Sequence, residues 1–305
     1  MKTAFMFSGQ GAQYVGMGKS LYDHYECAKN RFDQADQILG YSLSKIMFEE
    51  EDKLNDTSYT QVAMFTLYAA ILDVLNEVGV EASYSMGLSL GEYGAMYHNN
   101  VFDFETGLRL LEKRGQYMQE ASAKVEGKMS AILGMDADAL LDLLDQVDGF
   151  VKIANYNTYG QLVISGETNA VLEVNRLALE NGAKRAILLN TSGPFHTEIM
   201  KEASERLGEY IESMKFKEPK HHFLLNTTGT YFEKDMKQEM VSQITNSVMF
   251  YQMIEQCLED GVDTFIEIGP KKTLLGFVKK INRNVTMCNV EDLESLEATI
   301  KKLEE

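Results

Sequence analysis

The chain has 305 residues, 45% of them hydrophobic, enough for one large domain or up to two smaller ones built on a sizeable core. Its formal charge of −17, from 46 acidic and 29 basic residues, disfavours nucleic acid as a partner, because counterion release needs a basic face. Cys27, Cys257 and Cys288 stand apart, with no CxxC and no Cys/His cluster at zinc-ligand spacing, so a disulfide framework or structural metal is not expected and a reducing compartment is.

In chain order, "TAFMFSG" is a short apolar run ending at glycine and predicts a buried strand. It is too short for a signal core or a membrane span, so a cytoplasmic protein with no membrane association is expected. Helical patterns follow over residues 15–39 and 60–78. "ASYSMG" predicts a second strand, helix resumes from about Glu92, and an amphipathic helix covers residues 104–122. From residue 127 the rhythm becomes strand, helix, strand, strand, helix, strand within about seventy residues, the ferredoxin-like pattern. Asp136 stands at the start of its first helix and Thr168-Asn169 at the start of its second. After Pro194 come a helix near 197–214, a strand at "HHFLLN", helices around 236–259, the strand "DTFIEIG", a helix after Pro270, the strand "NVTMCNV" and a terminal helix. Strands alternating with helices imply a mainly parallel sheet covered on both faces. The expected architecture is therefore an α/β body, residues 1–125 and 194–305, with a ferredoxin-like small subdomain, residues 126–193, inserted into it. A ligand cleft belongs between the two.

The stretch Gly87-Leu88-Ser89-Leu90-Gly91 lies where the second strand turns into a helix. In that setting G-x-S-x-G forms a sharp turn that holds the serine strained and exposed. The helix N-terminus beyond it, with the Leu90 N–H first, can stabilise an oxyanion. The competing reading is a glycine-bounded loop with an idle serine. A serine hydroxyl is a weak nucleophile without a base. Of the five histidines, His24, His98, His221 and His222 read as surface or core residues. His196 sits in "NTSGPFHTEIM", at the hinge where the small subdomain closes. No Asp or Glu is obviously placed to orient its ring, so a dyad is expected, with a backbone carbonyl or an amide in the orienting role.

"FSGQGAQYVGMG", "GLSLGEY", "EKRGQYMQEA", "ANYNTYGQLVISG", "SGPFH" and "FIEIGPKKTL" occur in that order across nearly the whole chain. Together they resemble the malonyl-CoA:acyl carrier protein transacylases of fatty acid synthesis and the related polyketide acyltransferases. The resemblance implies an α/β-hydrolase-like body with a ferredoxin-like insertion and no cofactor beyond the phosphopantetheine carried by the partner. It implies that Ser89 is acylated with His196 as its base, and that Gln10 positions or helps donate to the oxyanion beside the Leu90 N–H. Arg114 would hold the malonyl carboxylate, and Gln243 would steady the histidine. The alternatives are that Gln10 caps a loop and that Arg114 pairs with Glu112 or Glu120 on a helix surface. An arginine is nonetheless suited to the task, since a guanidinium grips a carboxylate bidentately and stays charged.

The family usually has histidine at Leu88, proline at Ser247 and tryptophan at Phe250, and Tyr159 stands where a small residue or proline is frequent. An acidic carrier would need a local basic patch on this acidic chain, and Lys271, Lys272, Lys279, Lys280 and Arg283 are the candidates. Two other activities fit the same residues: loading of polyketide synthase carrier domains, and hydrolysis of thioesters or esters by the same serine.

Overall fold

The computed structural model describes residues 1–304. Five strands form a wholly parallel sheet: β1 (Thr3–Phe7), β2 (Tyr84–Gly87), β7 (His222–Phe223), β8 (Thr264–Ile268) and β9 (Thr286–Val290), in the order β7-β2-β1-β8-β9. All five residues of central β1 are buried. Their alternation divides the body, with Phe5 and Phe7 packing into one core and Ala4 and Met6 into another on the opposite face. The helix Thr57–Glu77 is apolar and long enough to cross a membrane, but most of it lies inside the first of these cores.

A second sheet comes from the middle of the chain: β3 (Gly127–Leu133), β4 (Val151–Thr158), β5 (Gln161–Glu167) and β6 (Arg185–Leu188), antiparallel in the order β4-β5-β3-β6. With helices Ala137–Leu144 and Thr168–Glu180 on one face this is a ferredoxin-like unit. Met129, Ala131 and Val163, on its other face, join the core of the body. The first helix is capped as expected, Asp136 accepting from the Ala139 N–H; the second begins at Thr168 without a side-chain cap.

Local differences from the sequence pattern have tertiary causes. The pattern over residues 15–39 is two helices, Lys19–His24 and Glu26–Leu39, parted by an extended Tyr25. Helices Leu43–Glu49 and Glu51–Leu54 are too short to show a period. The strand expected at "HHFLLN" pairs only at His222 and Phe223, after which the chain turns back through a Leu224–Tyr231 bridge. The helical stretch 236–259 is Met236–Gln243 and Phe250–Glu259. The residues between them run beside β4: Val248 N–H donates to Ala154 O (2.8 Å), Tyr156 N–H to Val248 O (2.8 Å) and Ser247 Oγ to Ile153 O (2.6 Å). This ladder ties the small sheet to the body next to Gln243.

Candidate active site

Strand β2 ends at Gly87, and the helix Gly91–His98 begins after only three residues. So tight a reversal needs room and strain. A Cβ on Gly87 would lie 2.0 Å from the Gly91 carbonyl carbon, and one on Gly91 would lie 2.1 Å from Phe7 O, so neither position admits a side chain. Ser89 between them has φ 52°, the left-handed region that a non-glycine residue rarely occupies. The surroundings hold it there: its N–H donates to Asn226 Oδ1 (2.7 Å) and its carbonyl accepts from Gln243 Nε2 (2.9 Å).

His196 also has a positive φ, 60°, and is 3% exposed. Its Nε2 is 2.7 Å from Ser89 Oγ. Its Nδ1 meets the backbone carbonyls of Gln243 (2.9 Å) and Asn246 (3.2 Å). Carbonyls only accept, so Nδ1 carries the ring proton and Nε2 offers a lone pair to the serine O–H. Among the described residues no carboxylate orients the ring; the carbonyls of Gln243, at its helix end, and of Asn246, in the segment braced by β4, do so. Burial, and after it the charge of Arg114, hold the imidazole down at about 4, so it is neutral and able to accept a proton near neutral pH.

Leu90 is the last residue before the helix, and among the described residues nothing accepts from its N–H. The Gln10 side chain is committed to Thr57 Oγ1 (3.0 Å), which in turn meets Ser192 Oγ (2.9 Å). Its backbone N–H is free of any partner among the described residues. The Gln10 loop abuts the elbow, where a Cβ on Gly9 would lie 2.8 Å from Leu88 O and the Leu88 N–H bonds to Phe7 O.

Arg114 lies on the helix Phe104–Ser122 and is 1% exposed. It is no surface pair: Glu120 bonds to Arg206 instead. The Arg114 guanidinium donates to Gln61 Oε1 (2.9 Å) and Gln243 Oε1 (2.8 Å), lies over the Tyr93 ring, and leaves Nε unpartnered. A buried cation held by neutral amides, with a donor unused, is an incomplete arrangement that an anion would complete. Gln243 meets His196 through its backbone carbonyl, while its side chain joins Arg114, Ser89 O and Glu92.

The expected docking cations are dispersed. Lys271, also at positive φ, reaches Gly11 O in the Gln10 loop (3.1 Å), whereas Lys280 reaches Gln161 on the small sheet (2.6 Å); Lys272, Lys279 and Arg283 are exposed. Ser247 bonds to β4, and Phe250 is core, edge-on to Phe277. Three residues of the site had escaped the sequence reading: Gln61, Glu92 and Asn226. Their only signal is polarity inside or beside apolar runs, and their partners lie far away in sequence.

The acyl transferase domain family matches residues 4–301. The malonyl CoA-acyl carrier protein transacylase of Bacillus subtilis is 41% identical over 100% of this chain and 98% of its own length. The chain belongs to this acyl transferase family. The crystal structure of the transacylase of that name from Clostridium perfringens superposes with a TM-score of 0.96 at 42% identity, covering 100% of this chain and 98% of that one. A malonyl-transacylase solved in complex with its type II polyketide synthase acyl-carrier protein superposes at 0.95 with 32% identity, over 99% of both chains.

Proposed function

We propose that the chain moves a malonyl group from malonyl-CoA to the phosphopantetheine thiol of an acyl carrier protein, through a malonyl ester on Ser89. The observation that carries this reading is a serine–histidine pair at 2.7 Å close to a buried arginine that has no counter-ion among the described residues. Ser89 Oγ attacks the thioester carbonyl as its proton passes to His196 Nε2. The oxyanion gathers at the free N–H groups of Leu90, at the helix start, and of Gln10, in the loop beside it. Collapse breaks the C–S bond, His196 returns the proton to the leaving sulfur, and CoA departs. The carrier thiol then gives its proton to His196 and attacks the ester carbonyl; the C–O bond to Ser89 breaks, His196 returns the proton to Ser89 Oγ, and the malonyl thioester leaves on the carrier. Arg114 binds the free carboxylate throughout and leaves a neutral acyl chain facing an unpaired charge. Phosphopantetheine arrives on the partner, and its thiol proton passes through His196.

Intact-protein mass after mixing with malonyl-CoA tests the reading. A malonyl adduct on the native chain, absent from Ser89→Ala, is expected; no adduct and no free malonate would overturn it. Free malonate forming faster than malonyl-carrier would make the chain a hydrolase. Loading of polyketide synthase carriers is the second reading, favoured by the likeness to the polyketide complex, and purified carriers of both kinds separate the two. In either case charge reversal at Lys271 and Lys272, or at Lys279, Lys280 and Arg283, should raise the KM for the carrier and leave acylation by CoA thioesters intact.

A further inference from the structure

We propose that Glu92 is a positioning residue that sets the acyl preference of the site: its carboxyl fixes the Gln243 side-chain amide in one orientation and, through it, the guanidinium of Arg114. This rests on the malonyl-transfer reading and deepens it. Glu92 is 1% exposed, on the first turn after Ser89. One oxygen accepts from Asn226 N–H (2.6 Å), and the other accepts from Gln243 Nε2. Asn226 in turn holds Ser89 N–H and, through Nδ2, Gly87 O (2.7 Å).

A glutamine amide has nearly the same shape either way round, so its neighbours decide its direction. Gln243 turns its NH2 to Glu92 and Ser89 O, and its oxygen to Arg114. Reversed, its oxygen would face two acceptors and its NH2 would face the guanidinium. Burial pushes the Glu92 carboxyl up to about 8, but each oxygen keeps a lone pair with or without the proton. A glutamine at 92 would have no lone pair on its nitrogen. The relay also keeps Arg114 useful: a carboxylate in direct contact would neutralise it, whereas an interposed neutral amide orients it and leaves its charge for the substrate.

Glu92→Gln keeps the shape and sets an NH2 against either Asn226 N–H or the Gln243 NH2. The Gln243 amide can escape only by reversing, which releases Arg114. Rates of Ser89 acylation by malonyl-CoA and acetyl-CoA, followed by intact mass, read the effect. The expected result is a roughly tenfold to hundredfold loss in kcat/KM for malonyl-CoA, with a smaller loss for acetyl-CoA. In an Arg114→Ala background the same substitution should change the malonyl-to-acetyl ratio no further. A folded Glu92→Gln with the native ratio would overturn the proposal, as would a full additional loss of preference without Arg114. If Glu92→Gln does not fold, Gln243→Leu, which removes the relay and keeps Glu92, decides by the same ratio. The native chain is measured first: failure to take malonyl there defeats the activity itself, whereas an unchanged ratio in the variants defeats only the role of Glu92.

Discussion

Replacing Arg114 with alanine removes a buried cation that two amide oxygens, of Gln61 and Gln243, hold at 2.9 and 2.8 Å. With malonyl-CoA bound, the substituent lost is one half of a buried, charge-assisted pair; such a truncation costs about 3 kcal/mol, or roughly 150-fold in kcat/KM. With acetyl-CoA the sign differs. The methyl group brings no counter-ion, so the native site keeps an unpaired charge that alanine relieves, and the acetyl rate should hold or rise. The ratio of malonyl to acetyl acylation should therefore fall by roughly 150-fold or more. Single-turnover acylation of Ser89 by each thioester measures it, with thermal unfolding to show that the variant folds. Arg114→Lys should fall between, because an ammonium keeps the charge but does not span both amides in a planar fork. Equal losses for the two thioesters would refute the reasoning and make Arg114 a support for the fold.

The pH dependence of acylation has a definite sign. His196 is held at about 4 in the folded chain, below the ordinary value of about 6.5; between those values the unfolded chain takes up a proton that the native site refuses, so stability falls as pH drops through that window. The base itself remains neutral, so kcat/KM for malonyl-CoA should stay level down to about pH 5, and an acidic limb at the ordinary histidine value would count against the burial argument. Arg114→Ala, by removing the second cause of the depression, should move that limb upward. At the elbow, Gly91→Ala sets a Cβ 2.1 Å from Phe7 O on central β1, and a destabilisation of about 3 kcal/mol or more is expected in urea unfolding; a variant with native stability would mean that the turn is looser than its geometry.

Much of the fold is written in local pattern. The apolar runs ending in glycine mark β1 and β2, and the switch of rhythm at residue 127 marks the second sheet, because side-chain period and turn chemistry are properties of neighbouring residues. The spacing Gly87–Ser89–Gly91 likewise carries its own reason, since the two glycines sit where any Cβ would strike backbone. The sequence alone therefore singles out Ser89 as a candidate nucleophile and His196 as the histidine in an unusual loop. That the two meet at 2.7 Å is decided by packing across 107 residues of chain, which no local signal records. The same holds for what surrounds them. Of the carbonyls that orient His196, that of Asn246 belongs to a segment braced against β4, and Gln243 contributes its backbone to the histidine and its side chain to Arg114. Glu92 and Asn226 look in sequence like an ordinary helix acid and a strand-end amide. Only the folded chain buries them with Ser89, where an unpaired polar atom would be costly and each donor and acceptor has to find its partner.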